Sequence, residues 1–202
     1  MERDNVLAFT VFAASIAIFF SWGYEFVPTH HFLIFCIASA FGIFMAFNIG
    51  GNDVANSFGT SVGAKTLTIK QALVIAAIFE LSGAIFAGGE VTKTIREGII
   101  VFPESGMNPM LFVLIMMSAL LSSGIWLFIA SKFGLPISTT HSIVGGIVGA
   151  GLTMGFSIMD SGEALKMVSW GGIGNIAISW VISPLMGGIL SYFIYRYIKT
   201  KI

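Results

Sequence analysis

Asn52, Asp53, Asn56, Ser57 and Thr60 follow directly on a long apolar run, in the stretch GGNDVANSFGTSVGAKTLT over residues 50–68. Carboxylates, carboxamides and hydroxyls are the side chains that ligate hard cations and hydrogen-bond anions. On a helix these five positions fall within a sector of roughly 140°, while Val54, Ala55 and Phe58 point the other way. A bilayer makes polar groups expensive unless they pair, line a cavity or bind something, so the cluster reads as a ligand-binding face. The other reading is a membrane-surface loop in which Asp53 caps a helix.

Two further places carry chemistry. GLPISTTHS over residues 134–142 places Ser138, Thr139 and Thr140 directly after a proline. Pro136 stops an incoming helix and biases Leu135 to an extended conformation, and Ser138 or Thr139 can cap a new helix. Such a tip presents free backbone N–H groups, a positive dipole end and three hydroxyls, which is an anion-binding arrangement. An ordinary loop with a capped helix explains the same residues, and His141 reads either as a proton or ligand group or as a structural histidine. Glu80 lies near the centre of an apolar segment, where a carboxylate faces the bundle interior, pairs, or takes up a cation or proton.

The elements that must position these residues are membrane spans. The 202 residues are 56% hydrophobic and only 10% charged, far below the roughly 25% of soluble domains, which identifies an all-α integral membrane protein. Ten basic and ten acidic residues cancel, so no electrostatic footprint for nucleic acid exists. The lone Cys36 excludes an internal disulfide or a cysteine metal cage and reads as apolar packing.

Residues 6–27 form a first span and not a cleaved leader, since MERDN is not basic and the apolar run is too long. His30 and His31 fall in an interfacial loop. Residues 32–49 form a second span that runs into the Gly50-Gly51 pair, where a broken helix or a close backbone approach is expected. Residues 71–89 form a third span, and residues 90–102, EVTKTIREGIIVF, read as a separate interfacial helix or connector. Asn108-Pro109 starts the next helix. Residues 143–155 look short for a full span and carry Gly145, Gly149, Gly151 and Gly155, so a re-entrant helical hairpin is expected. A polar connector with Asp160, Glu163 and Lys166 leads to residues 168–197, where Pro184 suggests a kink or second break. The whole is one transmembrane domain: an extra N-terminal span over 1–31, a core over 32–155, and a connector and span over 156–202.

With the residues laid out, GGNDVANSFGT over 50–60 closely resembles the repeated GxNDxANxxG motif of the inorganic phosphate transporter (PiT) family. IFEL over 78–81 and LPISTTHSIVG over 135–145 resemble the same family in the same order. The resemblance implies a cation-coupled phosphate symporter of the cell membrane, driven by sodium in many members and protons in others, with no enzymatic activity and no cofactor. It implies that Asn52, Asp53 and Asn56 help form the cation and phosphate site, with Asp53 as the cation's carboxylate ligand. Ser138, Thr139 and Thr140 would donate to phosphate oxygens, and Glu80 would tune coupling or supply a further cation ligand. Co-transported cations offset the cost of moving an anion against a negative potential, about 2.3 kcal/mol per charge per 100 mV.

Family members resemble two inverted repeats, each with both motifs, whereas this chain has one of each. It therefore looks like the N-terminal half, and a second half or second copy is an expected partner. Truncation, a separately encoded partner and two copies in opposite orientations all fit. The chain stops directly after a hydrophobic stretch, which favours truncation. Sulfate is the alternative substrate, though an acceptor such as Asp53 favours phosphate, which can donate. A channel is weakly suggested by Asn108-Pro109, and no HExxH or GxSxG pattern supports an intramembrane enzyme.

Overall fold

The computed structural model describes residues 3–101 and 108–201, so expectations for Met1, Glu2 and Phe102 lie outside the described residues. The chain runs α1 (Arg3–Phe26), a 3-10 turn (Thr29–His31), α2 (Phe32–Gly63), α3 (Ile69–Gly98), α4 (Pro109–Lys132), α5 (Thr139–Ile158), α6 (Ser161–Lys166) and α7 (Trp170–Lys201). Six of these helices are long and apolar enough to cross a membrane. Every backbone polar group in hydrocarbon needs an internal partner, and continuous helices supply it.

Local chemistry sets the helix ends. Thr68 and Gln71 form a reciprocal capping box that starts α3. Asn108 Oδ1 accepts from Met110 N at 2.9 Å, with Pro109 pre-set for the first turn of α4. Gly134, at φ +67°, ends α4 in the left-handed conformation that glycine adopts without a Cβ clash. Ser138 caps α5 by accepting from His141 N at 3.3 Å, as its position after Pro136 suggests.

Packing is concentrated on α4, which lies between α2 and α5. Ile115, Ala119, Val144 and Ile147 from α4 and α5 close a core with Ile99, Ile100, Met167 and Val168. The last two pairs meet at an isolated antiparallel bridge between Ile100 and Val168: Val101 N donates to Met167 O at 2.8 Å and Ser169 N to Ile99 O at 2.9 Å. On the other side of α4, Leu127 and Ala130 are buried along with Met45 and Asn48 of α2, and the Phe44 ring lies against Gly124. By contrast, no residue of α7 is buried.

The structure corrects several sequence expectations. There is no broken helix at Gly50-Gly51: α2 continues through the pair for 32 residues. A Cβ on either glycine would meet nothing within 4 Å, so they do not serve a close approach within this chain. Glycine permits a break but does not force one, and breaking α2 would strip backbone groups of their partners. The same reason joins the separate connector expected after Gly88-Gly89 to α3 as its last turns. Pro184 lies inside a continuous α7, not at a break. Nor is the outgoing arm of the hairpin short, because α5 has 20 residues, about 30 Å at 1.5 Å per residue.

The α5 glycines also divide differently than expected. Gly151 packs on Ile100 and Gly155 on Ala164 and Met167, but Gly145 and Gly149 face open space. The tight contact between α4 and α5 is at Gly146, where a Cβ would lie 2.6 Å from Ser123 Oγ and 3.1 Å from Ala119 O. Ser123 Oγ cannot step aside freely, because it donates to Ser142 O at 2.9 Å. Gly146→Ala should therefore destabilise the hairpin by about 1–3 kcal/mol, the usual range for overpacking. Gly149→Ala should not. Thermal unfolding of both variants in detergent checks this, and equal midpoints would refute the close α4–α5 contact.

Candidate functional site

The polar face of α2 and the tip of the α4–α5 hairpin meet. Asn52 is only 5% exposed. Its Nδ2 donates to Ser131 Oγ at 3.2 Å and to Leu135 O at 3.3 Å, while its Oδ1 accepts from Asn56 Nδ2 at 2.8 Å. One turn of α2 thus grips the end of α4 and the segment leading to α5. Leu135 O is available because α4 has ended and Pro136 has no N–H to begin a new ladder. Beside this grip, Thr139 Oγ1 donates to Asp53 Oδ2 at 3.2 Å, joining the first residue of α5 to the carboxylate.

The tip offers donors. Ser138 uses an oxygen lone pair to cap His141 N, which leaves its hydroxyl hydrogen to give. The N–H groups of Thr139 and Thr140 lie in the first turn of α5, where the helix itself provides no acceptor. With the dipole of a 20-residue helix behind them, these groups favour an anion. Thr140 is exposed at the same tip.

Glu80 joins from α3. The turn over residues 64–68 reverses the chain, with Lys65 at φ +60° and Lys65 N donating to Val62 O at 3.0 Å. Asp53 lies ten residues before Gly63 and Glu80 eleven after Ile69, so both stand about 15–16 Å from the turn. The two carboxylates lie near enough to interact electrostatically. Glu80 is exposed and lines a groove with Phe58, Phe79 and Gly83.

Of the expected site residues, Asn56 and Asn52 form one hydrogen-bonded set with the hairpin and Asp53 and Thr139 a separate pair beside it, with Ser138 and Thr140 at the same tip and Glu80 on α3. Ser57 and Thr60, grouped with them by helical phase, are exposed and make no side-chain hydrogen bond to the hairpin among the described residues. Val54, Ala55 and Phe58 line a groove on the opposite face of α2, as the phase argument requires. His141 stands edge-on to Trp180 of α7, ring centroids 3.8 Å apart. Sequence reasoning missed Ser131 and the Leu135 carbonyl. A polar residue in the last turn before a Gly-Leu-Pro stop, where carbonyls run out of partners, is the signal that could have found them.

The model of the phosphate transporter family matches residues 49–202. A Mycobacterium bovis protein named "Putative phosphate permease Mb2302" is 51% identical over 203 residues, covering 100% of this chain and 37% of that protein. The "Putative phosphate permease" of Haemophilus influenzae is 50% identical over 160 residues, 79% of this chain and 36% of its own length. A solved structure, "The sodium-dependent phosphate transporter", superposes with a TM-score of 0.71 at 39% identity, over 84% of this chain and 40% of the other. The chain thus spans about two fifths of the length of the relatives it matches. With its motifs, its membrane-spanning helices and a family match over most of its length, the chain is a multi-pass membrane protein that belongs to the phosphate transporter family.

Proposed function

We propose that this chain supplies one half of a sodium-coupled phosphate symporter and contributes its half of the phosphate and cation site. The observation that carries the reading is the Thr139 to Asp53 hydrogen bond, which puts an anion-binding helix tip beside a carboxylate 86 residues away in sequence. Asp53 and Glu80 are the cation's carboxylates, and Asn52 and Asn56 offer it carboxamide oxygens. Both Nδ2 hydrogens of Asn52 are spent on the hairpin, so its contribution is to the cation and to holding the tip, not to donating to phosphate. Phosphate is held by Ser138, Thr139 and Thr140, with Asn56 at the edge of the site. Sodium, and not the alternative proton, fits the oxygen-rich ligand set, and the structural relative is named as sodium-dependent. Because relatives are permeases and transporters by name, transport and not catalysis is the activity proposed.

The tip abuts α2 at Asn52 and Asp53, about 15 Å short of that helix's end. That depth supports a hairpin that turns back inside the bilayer. One copy of each motif gives half a ligand shell, so the working unit includes a second half or a second copy.

The test is radiolabelled phosphate uptake into proteoliposomes with an imposed sodium gradient. Uptake should follow the gradient, should be resisted by sulfate only weakly, and should belong to an assembly. Gradient-independent flux of neutral solutes would instead indicate a channel, and robust uptake by a demonstrated monomer would contradict the half-site account.

A further inference from the structure

Resting on the phosphate and cation reading above, the geometry points to a role for Thr139 beyond anion ligation: its single hydroxyl hydrogen makes phosphate capture wait for the cation. A hydroxyl has one hydrogen to donate and two lone pairs. At Thr139 that hydrogen goes to Asp53 Oδ2, 3.2 Å away, so it cannot go to a phosphate oxygen at the same moment. Its neighbour is not committed in this way, since Ser138 caps the helix with a lone pair and keeps its hydrogen. Among the described residues, Thr139 is the tip hydroxyl tied to the carboxylate.

A sodium ion on Asp53 changes the competition. It neutralises the carboxylate, and the charge-assisted bond from Thr139 loses its advantage. A lone pair of Thr139 Oγ1 can then turn to the cation and its hydrogen to phosphate. Only hydrogen bonds and ion ligation change, and no proton leaves the hydroxyl. With no cation present, phosphate meets a repelling carboxylate and finds the Thr139 hydrogen taken. The cation therefore binds first, and by linkage sodium raises phosphate affinity by the same factor by which phosphate raises sodium affinity. Coulombic attraction between the two ions also couples them, but through no particular hydroxyl.

Inorganic phosphate binding to the assembled transporter in lipid nanodiscs, in sodium chloride and in choline chloride, separates these roles. Thr139→Val should weaken phosphate binding about tenfold or more in sodium, the scale of one hydrogen bond to a charged group. The loss in choline should be several-fold smaller, so that sodium's stimulation of phosphate binding falls, because without sodium the hydrogen serves Asp53. Thr139→Ser should restore the sodium-dependent part, which also shows that the fold tolerates the position. Equal loss in both salts would make Thr139 an ordinary ligand and overturn the inference while leaving the phosphate site intact. No effect in either salt would overturn it too. If the unmodified assembly bound no phosphate in either salt, the phosphate reading itself would fall and this inference with it.

Discussion

Asp53→Asn should abolish sodium-driven phosphate accumulation while leaving the hairpin seated on α2. The substitution keeps the shape of the side chain and an oxygen that can accept from Thr139 Oγ1, now bonded to Asp53 Oδ2. What it removes is the charge. Removing one partner of a buried ion pair typically costs about 3–5 kcal/mol, which is a loss of roughly a hundredfold to several thousandfold in cation affinity. Because Glu80 stands within electrostatic range of Asp53, some residual cation affinity is expected, carried by the remaining carboxylate. Sodium-gradient-driven uptake by the assembled transporter should fall to background, with unchanged helical content by circular dichroism. Normal accumulation would sink the role assigned to Asp53.

Asn52→Leu carries the second large effect. Leucine keeps the branched outline and heavy-atom count of asparagine though it is bulkier, and three hydrogen bonds disappear together. Each of these bonds contributes about 0.5–1.5 kcal/mol, and Ser131, Leu135 and Asn56 all lose their partner at once. The tip should detach from α2, phosphate affinity should fall more than tenfold, and the unfolding midpoint should drop. Ser131→Ala removes one of the two bonds from Asn52 to the hairpin and should show a smaller loss in the same direction. Spin-label distances between α2 and the hairpin read the displacement directly. An unmoved tip in Asn52→Leu would show that the helix packing along Leu127 and Ala130, and not Asn52, seats it.

These variants act on contacts of unequal visibility in the sequence. The helical spans were legible from apolar length, and the starts of α4 and α5 from Asn108-Pro109 and Ser138, because capping is a local matter. The polar face of α2 was legible from helical phase, which also separated Val54, Ala55 and Phe58 from it. Continuity through Gly50-Gly51 and Gly88-Gly89 was not. Glycine pairs are breakers where water can take over the backbone, but a span keeps its ladder for want of any other partner. Ser131 and Leu135 were illegible for another reason: their bonds to Asn52 cross 79 and 83 residues, and no local pattern carries such a pairing. Gly146, and not Gly145 or Gly149, makes the tight α4–α5 contact for the same reason, since it depends on how two helices rotate against each other.

The site on which all of this turns is the meeting of Asn52, Asp53 and Asn56 with Ser138, Thr139 and Thr140. An experimental density map of the protein in lipid, with sodium and phosphate present, tests it most directly. The account predicts a tetrahedral anion within hydrogen-bond reach of the Ser138 to Thr140 tip and a cation on Asp53 beside it. Well-ordered anion and cation bound elsewhere in the protein, with nothing between α2 and the hairpin tip, would contradict it.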